Sequence, residues 1–220
     1  MNEHDPTDKI QGMLRFYTPL VSDTMERLGL KSGALHHSIQ AILPDPHQKV
    51  CGIAFPARVK PTEEYVEIHN LLEMVDAIPD NAFVVVSSDT DVDAALWGGM
   101  MSARAKARGA VGAAVNGGVR DIEQIADLGF PVFGTHRCIR DIRRRGEMVR
   151  YNVPVYFGGG TIVPGDIIFG DANGVLVIPH EKFELVHAEL ERAHGEESAT
   201  HSGLLEGEEA RRMFDRYGRF

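Results

Sequence analysis

Trp97-Gly98-Gly99-Met100-Met101 and, one apolar run later, Asn116-Gly117-Gly118-Val119-Arg120-Asp121 are the residues whose types and spacing suit chemistry. A helix opening at Gly98 or Gly99 leaves its first backbone N–H groups without intrahelical partners and turns the positive end of its dipole outward, a seat for a carboxylate or phosphate. Arg120 offers a planar fork to the same anion, and Asp121 offers a hard oxygen ligand to a divalent cation. Paired glycines also have a plainer reading, a tight turn or close helix packing. The chemical reading gains weight because parallel neighbouring strands deliver successive loops to one edge of a sheet. One small pocket would then take a ligand that is both anionic and metal-chelating.

The elements that position these residues follow from apolar spacing. Residues 83–87 form a continuous apolar run of strand length, residues 98–108 a helix and residues 110–115 a second strand. Strand, helix and strand in that order predict parallel pairing through a right-handed crossover. A helix over 121–128, ended by Gly129, and a strand over 131–133 repeat the plan, placing Asn116 to Asp121 at the carboxyl ends of strands. Upstream, residues 9–17 and 22–28 read as helices, the second capped by Ser22 or Asp23 and stopped by Gly29. Residues 50–59, interrupted by Gly52 and Pro56, suit a bent or edge strand, and 65–78 carry a helical period. Downstream, 149–155, 161–163, 167–169 and 174–178 are short runs between turn residues, as in antiparallel structure, and charged amphipathic helices follow over 181–200 and 204–217. The fold class expected is α/β, with a central mixed sheet and peripheral helices at both ends.

Composition bounds the rest. With 43% hydrophobic and 25% charged residues the chain is globular rather than disordered, and no linker composition divides residues 1–220, which read as one domain. Met1-Asn2-Glu3-His4-Asp5-Pro6 lacks a basic segment leading into an apolar core, and no apolar run reaches spanning length, so a cytoplasmic location and no membrane partner are expected. A net charge of −9 disfavours nucleic acid as a partner, so an anionic ligand must be captured locally. Cys51 and Cys138 have no cysteine neighbours in sequence and read as buried free thiols. Arg137, Arg140, Arg143, Arg144, Arg145 and Arg150 suggest a solvated helix face or a subunit contact. His187, His194 and His201 recur every seventh residue, roughly 10 Å apart along a helix and too far for one metal ion, and read as exposed or oligomer-contact side chains. Gly158-Gly159-Gly160 reads as a bend between strands and not as a dinucleotide loop.

Taken together, Gly98-Gly99-Met100-Met101, the Ala/Arg-rich helix after it, Asn116-Gly-Gly-Val-Arg120-Asp121, Pro131-Val132-Phe133 and the run from Pro164-Gly165-Asp166 to Gly174-Val175-Leu176-Val177-Ile178-Pro179 resemble the RraA-like superfamily, which includes the 4-hydroxy-4-methyl-2-oxoglutarate aldolases. The resemblance spans about residues 19–190. It implies the swivelling β/β/α domain, a homotrimer or homohexamer with sites at subunit junctions, and Mg2+ or Mn2+ as cofactor. It further implies substrate-binding amides at Gly98, Gly99, Met100 and Met101, Arg120 as the catalytic arginine that contacts substrate and developing enolate, and Asp121 as the metal-holding carboxylate. The activity implied is a metal-dependent carbon–carbon lyase, aldolase or decarboxylase, acting on a small 2-oxo di- or tricarboxylic acid and releasing pyruvate. A chelated 2-oxo acid agrees with the chemistry, since cleavage beside the carbonyl leaves an enolate that a metal and Arg120 stabilise. One residue departs from the aldolase pattern. Many relatives carry Asp or Glu where this chain has Gly99, so either another carboxylate compensates, Glu123 or one from a neighbouring subunit, or the reaction differs. The other branch of the superfamily, regulators that bind ribonuclease E without such chemistry, shares the fold and much of the Arg-Asp motif.

Overall fold

Residues 6–88, 90 and 92–218 are described in the computed structural model of the protein. The reading of the first residues as leaderless therefore concerns positions 1–5, outside the described part. Helices are α1 (Pro6–Gly12), α2 (Thr18–Arg27), α3 (His69–Ala77), α4 (Gly99–Ala107), α5 (Ile122–Leu128), α6 (Phe183–Leu205) and α7 (Ala210–Tyr217). Strands are β1 (Gln40–Ala41), β2 (Val50–Pro61), β3 (Ala82–Ser88), β4 (Ala95–Trp97), β5 (Gly112–Val115), β6 (Gly118–Val119), β7 (Val132–Gly134), β8 (His136–Arg137), β9 (Gly146–Tyr151), β10 (Val155–Phe157), β11 (Gly160–Ile162), β12 (Ile167–Asp171) and β13 (Gly174–Ile178).

The main sheet runs β1-β7-β5-β3-β2-β12-β13, with β9 also on β2. Its heart, β2-β3-β5-β7, is parallel and its flanks are antiparallel. Continuity between the two edges comes from the chain before β1. Val177 N–H donates to Gly33 at 2.9 Å and Leu35 N–H to Val175 at 2.9 Å, while a few residues on Gln40 pairs with Gly134, so the sheet is nearly closed. Both faces of β3 are covered, which explains its unbroken apolar run: Phe83 and Val85 point into the curl with Phe133, Phe157 and Ile168, while Val84 and Val86 face the side of Trp97, Met74 and Ile125.

A second, three-stranded parallel sheet, β4-β6-β8, lies outside the main one. The chain thus repeats a main-sheet strand, a short outer strand and a helix: β3-β4-α4, then β5-β6-α5, then β7-β8. This is the mixed α/β architecture expected, with one layer more than periodicity predicts. Strands of two or three residues are too short to carry a period.

Four expectations are corrected. Residues 50–59 are no edge: β2 is central and 12 residues long, with β12 bonded along its first half and β9 along its second. Pro56 falls where those two partners change over, and its carbonyl accepts from Asn152 N at 2.7 Å, so its missing N–H interrupts neither ladder. Helix α2 begins at Thr18, ahead of Ser22 and Asp23, with a proline in its first turn. Buried Asp171 supports that start, accepting from Thr18 N at 2.7 Å and Thr18 Oγ1 at 2.8 Å. The arginine-rich stretch forms no helix, and 138–145 is a bend leading into β9. As for the thiols, Cys51 is buried but Cys138 is only partly so.

Terminal helices pack on the sheet through Phe16, Leu20, Val186 and Leu190 around Phe169, which is fully buried. His187 and His194 of α6 are half-buried beside the Phe16 ring and not exposed as expected. Phe169→Ala is expected to destabilise the protein by about 3–5 kcal/mol, read as a lowered urea midpoint with an unchanged slope.

Candidate active site

Arg120 and Asp121 reach the start of α4 because β4 and β6 pair in parallel. Trp97 aligns with Val119, and Arg120 N–H donates to Trp97 O at 3.1 Å, which sets the residues after each strand side by side. The small outer sheet, and not the main one, therefore assembles this site. At the carboxyl ends of β3, β5 and β7, Ser88, Asn116 and Thr135 line a different, polar cavity of about 580 Å³.

Asp121 holds left-handed backbone angles, φ 58° and ψ 44°, a conformation that costs a non-glycine residue about 1–2 kcal/mol. It stands at the N-cap of α5 yet makes no capping bond to its own helix. Instead its Oδ2 accepts from Gly99 N–H at 3.1 Å and lies 3.6 Å from Arg120 Nε. The left-handed turn at Asp121 thus points its carboxylate toward the neighbouring helix start and away from its own helix. Oδ1 of Asp121 carries no hydrogen bond among the described residues.

The structure thus brings Gly98, Gly99, Met100, Met101, Arg120 and Asp121 together. All but Gly99 line one cavity of about 460 Å³, and Gly99 touches it through its amide bond to Asp121. One expectation needs narrowing. The Gly99 amide is already committed to Asp121, so the amides left for an incoming anion are those of Met100 and Met101, which have no acceptor among the described residues. Gly98 is required by proximity, since a Cβ there would lie 2.8 Å from Asp121 Oδ2 and 3.1 Å from Arg120 Cγ. A side chain at 99 would meet Gln124, whose Oε1 lies 2.2 Å from the Cβ position. A neutral amide from α5 thus fills the space that a side chain at 99 would take. Glu123 is exposed and does not line the cavity.

Sequence reasoning takes Asp141 only as partly neutralising the arginine cluster and misses its place at this cavity. Its Oδ2 accepts from Arg120 Nη1 at 3.1 Å and from Arg143 Nη1 at 3.4 Å, and its Oδ1 from the Arg143 amide at 2.8 Å. Burial pushes its pKa up, but the Arg143 amide and the Arg120 and Arg143 guanidiniums outweigh it and hold the carboxyl below the usual range. A lowered folded pKa contributes stability above the ordinary carboxylate pKa, lost as pH falls through the folded value. Asp141→Asn should therefore flatten the acid limb of the stability curve, measured as Tm against pH, and loosen Arg120. No spacing rule signals it, because it is reached through the bend after β8.

Among the described residues no three His, Cys, Asp or Glu side chains converge as a metal cage. The donor set of Asp121, one free carboxylate oxygen beside open cavity, fits a hard cation whose remaining ligands are water and substrate oxygens, the habit of Mg2+.

A nearly closed mixed sheet with a second parallel layer, and an Arg-Asp pair set against a glycine-opened helix, define a class of α/β proteins. The family model described as RraA-like: Aldolase/RraA matches residues 18–177, and the chain belongs to the RraA-like family. Protein DlpA of Legionella pneumophila is 30% identical over 178 residues, covering 80% of this chain and 28% of that protein. A Halalkalibacterium halodurans protein named "Putative 4-hydroxy-4-methyl-2-oxoglutarate aldolase" is 31% identical over 72% of this chain and 75% of its own length. The chain thus spans under a third of the Legionella relative. Among solved structures, one described as "novel cellulases from microbes associated with the gut ecosystem" superposes with a TM-score of 0.84 at 32% identity, covering 90% of this chain and 89% of that one. Streptomyces coelicolor RraAS2, described as an unusual member of the RNase ES inhibitor RraA family, does so at 0.73 and 21% identity, covering 94% and 97%, a likeness of fold. Among the described residues no helix is long and apolar enough to cross a membrane.

Proposed function

We propose that the protein is a divalent-metal-dependent carbon–carbon lyase that cleaves a 2-oxo acid to release pyruvate, by retro-aldol cleavage or decarboxylation. The observation that carries this reading is the convergence of the Gly99 amide and Arg120 on one oxygen of Asp121, at 3.1 and 3.6 Å, beside a cavity of substrate size. The family membership and the aldolase name of the Halalkalibacterium relative support it.

In this reading the Met100 and Met101 amides receive the substrate carboxylate at the positive end of α4. Arg120, held by Asp141, donates to the 2-oxo oxygen and balances the charge that gathers there as the bond breaks. Asp121 would hold Mg2+ or Mn2+, which when bound supplies Lewis-acid stabilisation of the enolate. The Gly99 amide holds Asp121 Oδ2 without adding charge. Assembly into a homotrimer or homohexamer belongs to the same proposal. Pyruvate release from oxaloacetate and from 4-hydroxy-2-oxo acids, with added Mg2+ or Mn2+ and a chelator control, tests the reading. Turnover lost on chelation is expected. Silence across the panel with metal present would overturn it and favour a partner-binding protein.

A further inference from the structure

We infer that Ser102 is a positioning residue for Asp121, acting through the Gly98–Gly99 peptide group; this rests on the metal site of the lyase reading above. Ser102 is fully buried in α4 and does not line the cavity, so its effect there is indirect. Its hydroxyl sits between two partners. Trp97 Nε1, a donor only, gives its proton to Ser102 Oγ at 2.7 Å, which leaves the serine proton for Gly98 O at 3.0 Å. Gly98 O also accepts from Ser102 N at 3.0 Å. That carbonyl and the Gly99 N–H are the two ends of one planar peptide group. Two bonds from Ser102 hold the first end, and Asp121 Oδ2 accepts from the second at 3.1 Å.

Glycines on both sides make that restraint matter. With no Cβ at 98 or 99, the peptide between them meets little steric resistance to tilting, and a tilt would swing the Gly99 N–H away from Asp121. Asp121 Oδ2 would then lose its amide and the carboxylate would be free to turn, so that Oδ1 no longer stands ready for a hard cation. The anchor of the hydroxyl is itself fixed. The Trp97 ring is fully buried and stacks on Phe130 at 6.3 Å, 12° from parallel, while the Trp97 carbonyl accepts from Arg120 N at 3.1 Å. Trp97 thus ties both halves of the site together, Ser102 through its indole and Arg120 through its backbone. Helix propensity gives no reason for a serine here, since alanine is the better helix former and a hydroxyl bonded back to the i−4 carbonyl competes with the helix ladder. Supplying a partner for the buried Trp97 N–H is a purely structural role, and the two roles part on substitution.

Mn2+ alone is the probe, its affinity read from the electron paramagnetic resonance signal of the free ion, beside the metal-free Tm and pyruvate release from oxaloacetate. Ser102→Ala is expected to weaken Mn2+ binding about tenfold and to lower kcat/KM at subsaturating Mn2+. It also strands the Trp97 N–H in the core and should lower Tm. In a Trp97→Phe background the same substitution strands no donor. There it should cost little Tm, yet still weaken Mn2+ binding about tenfold relative to Trp97→Phe alone. Mn2+ affinity unchanged by Ser102→Ala in either background, whatever happens to Tm, would make the serine a partner for Trp97 and nothing more; that overturns the inference and leaves the lyase reading standing. A wild type that binds Mn2+ yet releases no pyruvate overturns the lyase reading, and the affinities still decide the role of Ser102. A wild type that binds no Mn2+ overturns both.

Discussion

Asp121→Asn is expected to lower kcat for metal-stimulated pyruvate release from oxaloacetate about 100-fold or more, and to remove the thermal stabilisation expected of Mg2+ or Mn2+ in the wild type. The substitution keeps an oxygen for the Gly99 amide, now 3.1 Å from Oδ2, and keeps the shape of the side chain. What it deletes is the charge that attracts a hard cation and that faces Arg120 Nε at 3.6 Å. Because asparagine adopts left-handed angles as readily as aspartate, the backbone at φ 58° is not asked to change. Loss of turnover with an unaltered apo Tm would therefore locate the effect in charge. The larger change Asp121→Ala also frees the Gly99 amide and should be at least as inactive. Wild-type turnover and an unchanged metal-dependent Tm shift in Asp121→Asn would remove Asp121 from the chemistry.

How much of this was legible beforehand depends on which interaction carried the information. The parallel order β3-β5-β7 and the helices α4 and α5 follow from runs long enough to show a period, and so does the meeting of residues 98–101 with Arg120 and Asp121. The connections after the parallel neighbours β3 and β5 do carry these residues, but each holds a short outer strand that periodicity does not show, and the pairing Trp97↔Val119 sets their register. Their signal is hidden, since Ala95, Leu96 and Trp97 look like any buried apolar triplet. Asp141 was illegible for a different reason. It sits in a bend among arginines, where sequence shows a positive cluster, and only the turn of the chain reveals that Arg143 and Arg120 share its carboxylate. Likewise Gln124 fills the space at Gly99 from the next helix, a tertiary contact that no motif around Gly99 records.

Arg120→Lys separates geometry from charge at the same centre. Lysine keeps the positive charge but replaces the planar fork with one ammonium on a flexible stem. In the native arrangement the guanidinium does two things at once: Nη1 binds Asp141 at 3.1 Å while Nε stands 3.6 Å from Asp121. A lysine can satisfy one of these and leaves no directed donor for a developing enolate oxygen, so kcat/KM should fall about 10²–10³-fold, the cost of removing one preorganised donor. The fold should survive, because the side chains of Arg120, Asp121 and Asp141 are 38%, 33% and 36% exposed and no buried charge is stranded. A structural role alone would show the opposite pattern, a lower Tm with kinetics intact. The pH response supplies a second discriminator. Arg120 helps hold the Asp141 carboxyl low, so replacing its fork should let that pKa rise and flatten the acid limb of stability, provided the lysine fails to restore the bond. If kcat/KM and the acid limb both stay at their wild-type values, the fork contributes neither to transition-state binding nor to the placement of Asp141. Arg120 would then be a spectator at the mouth of the cavity.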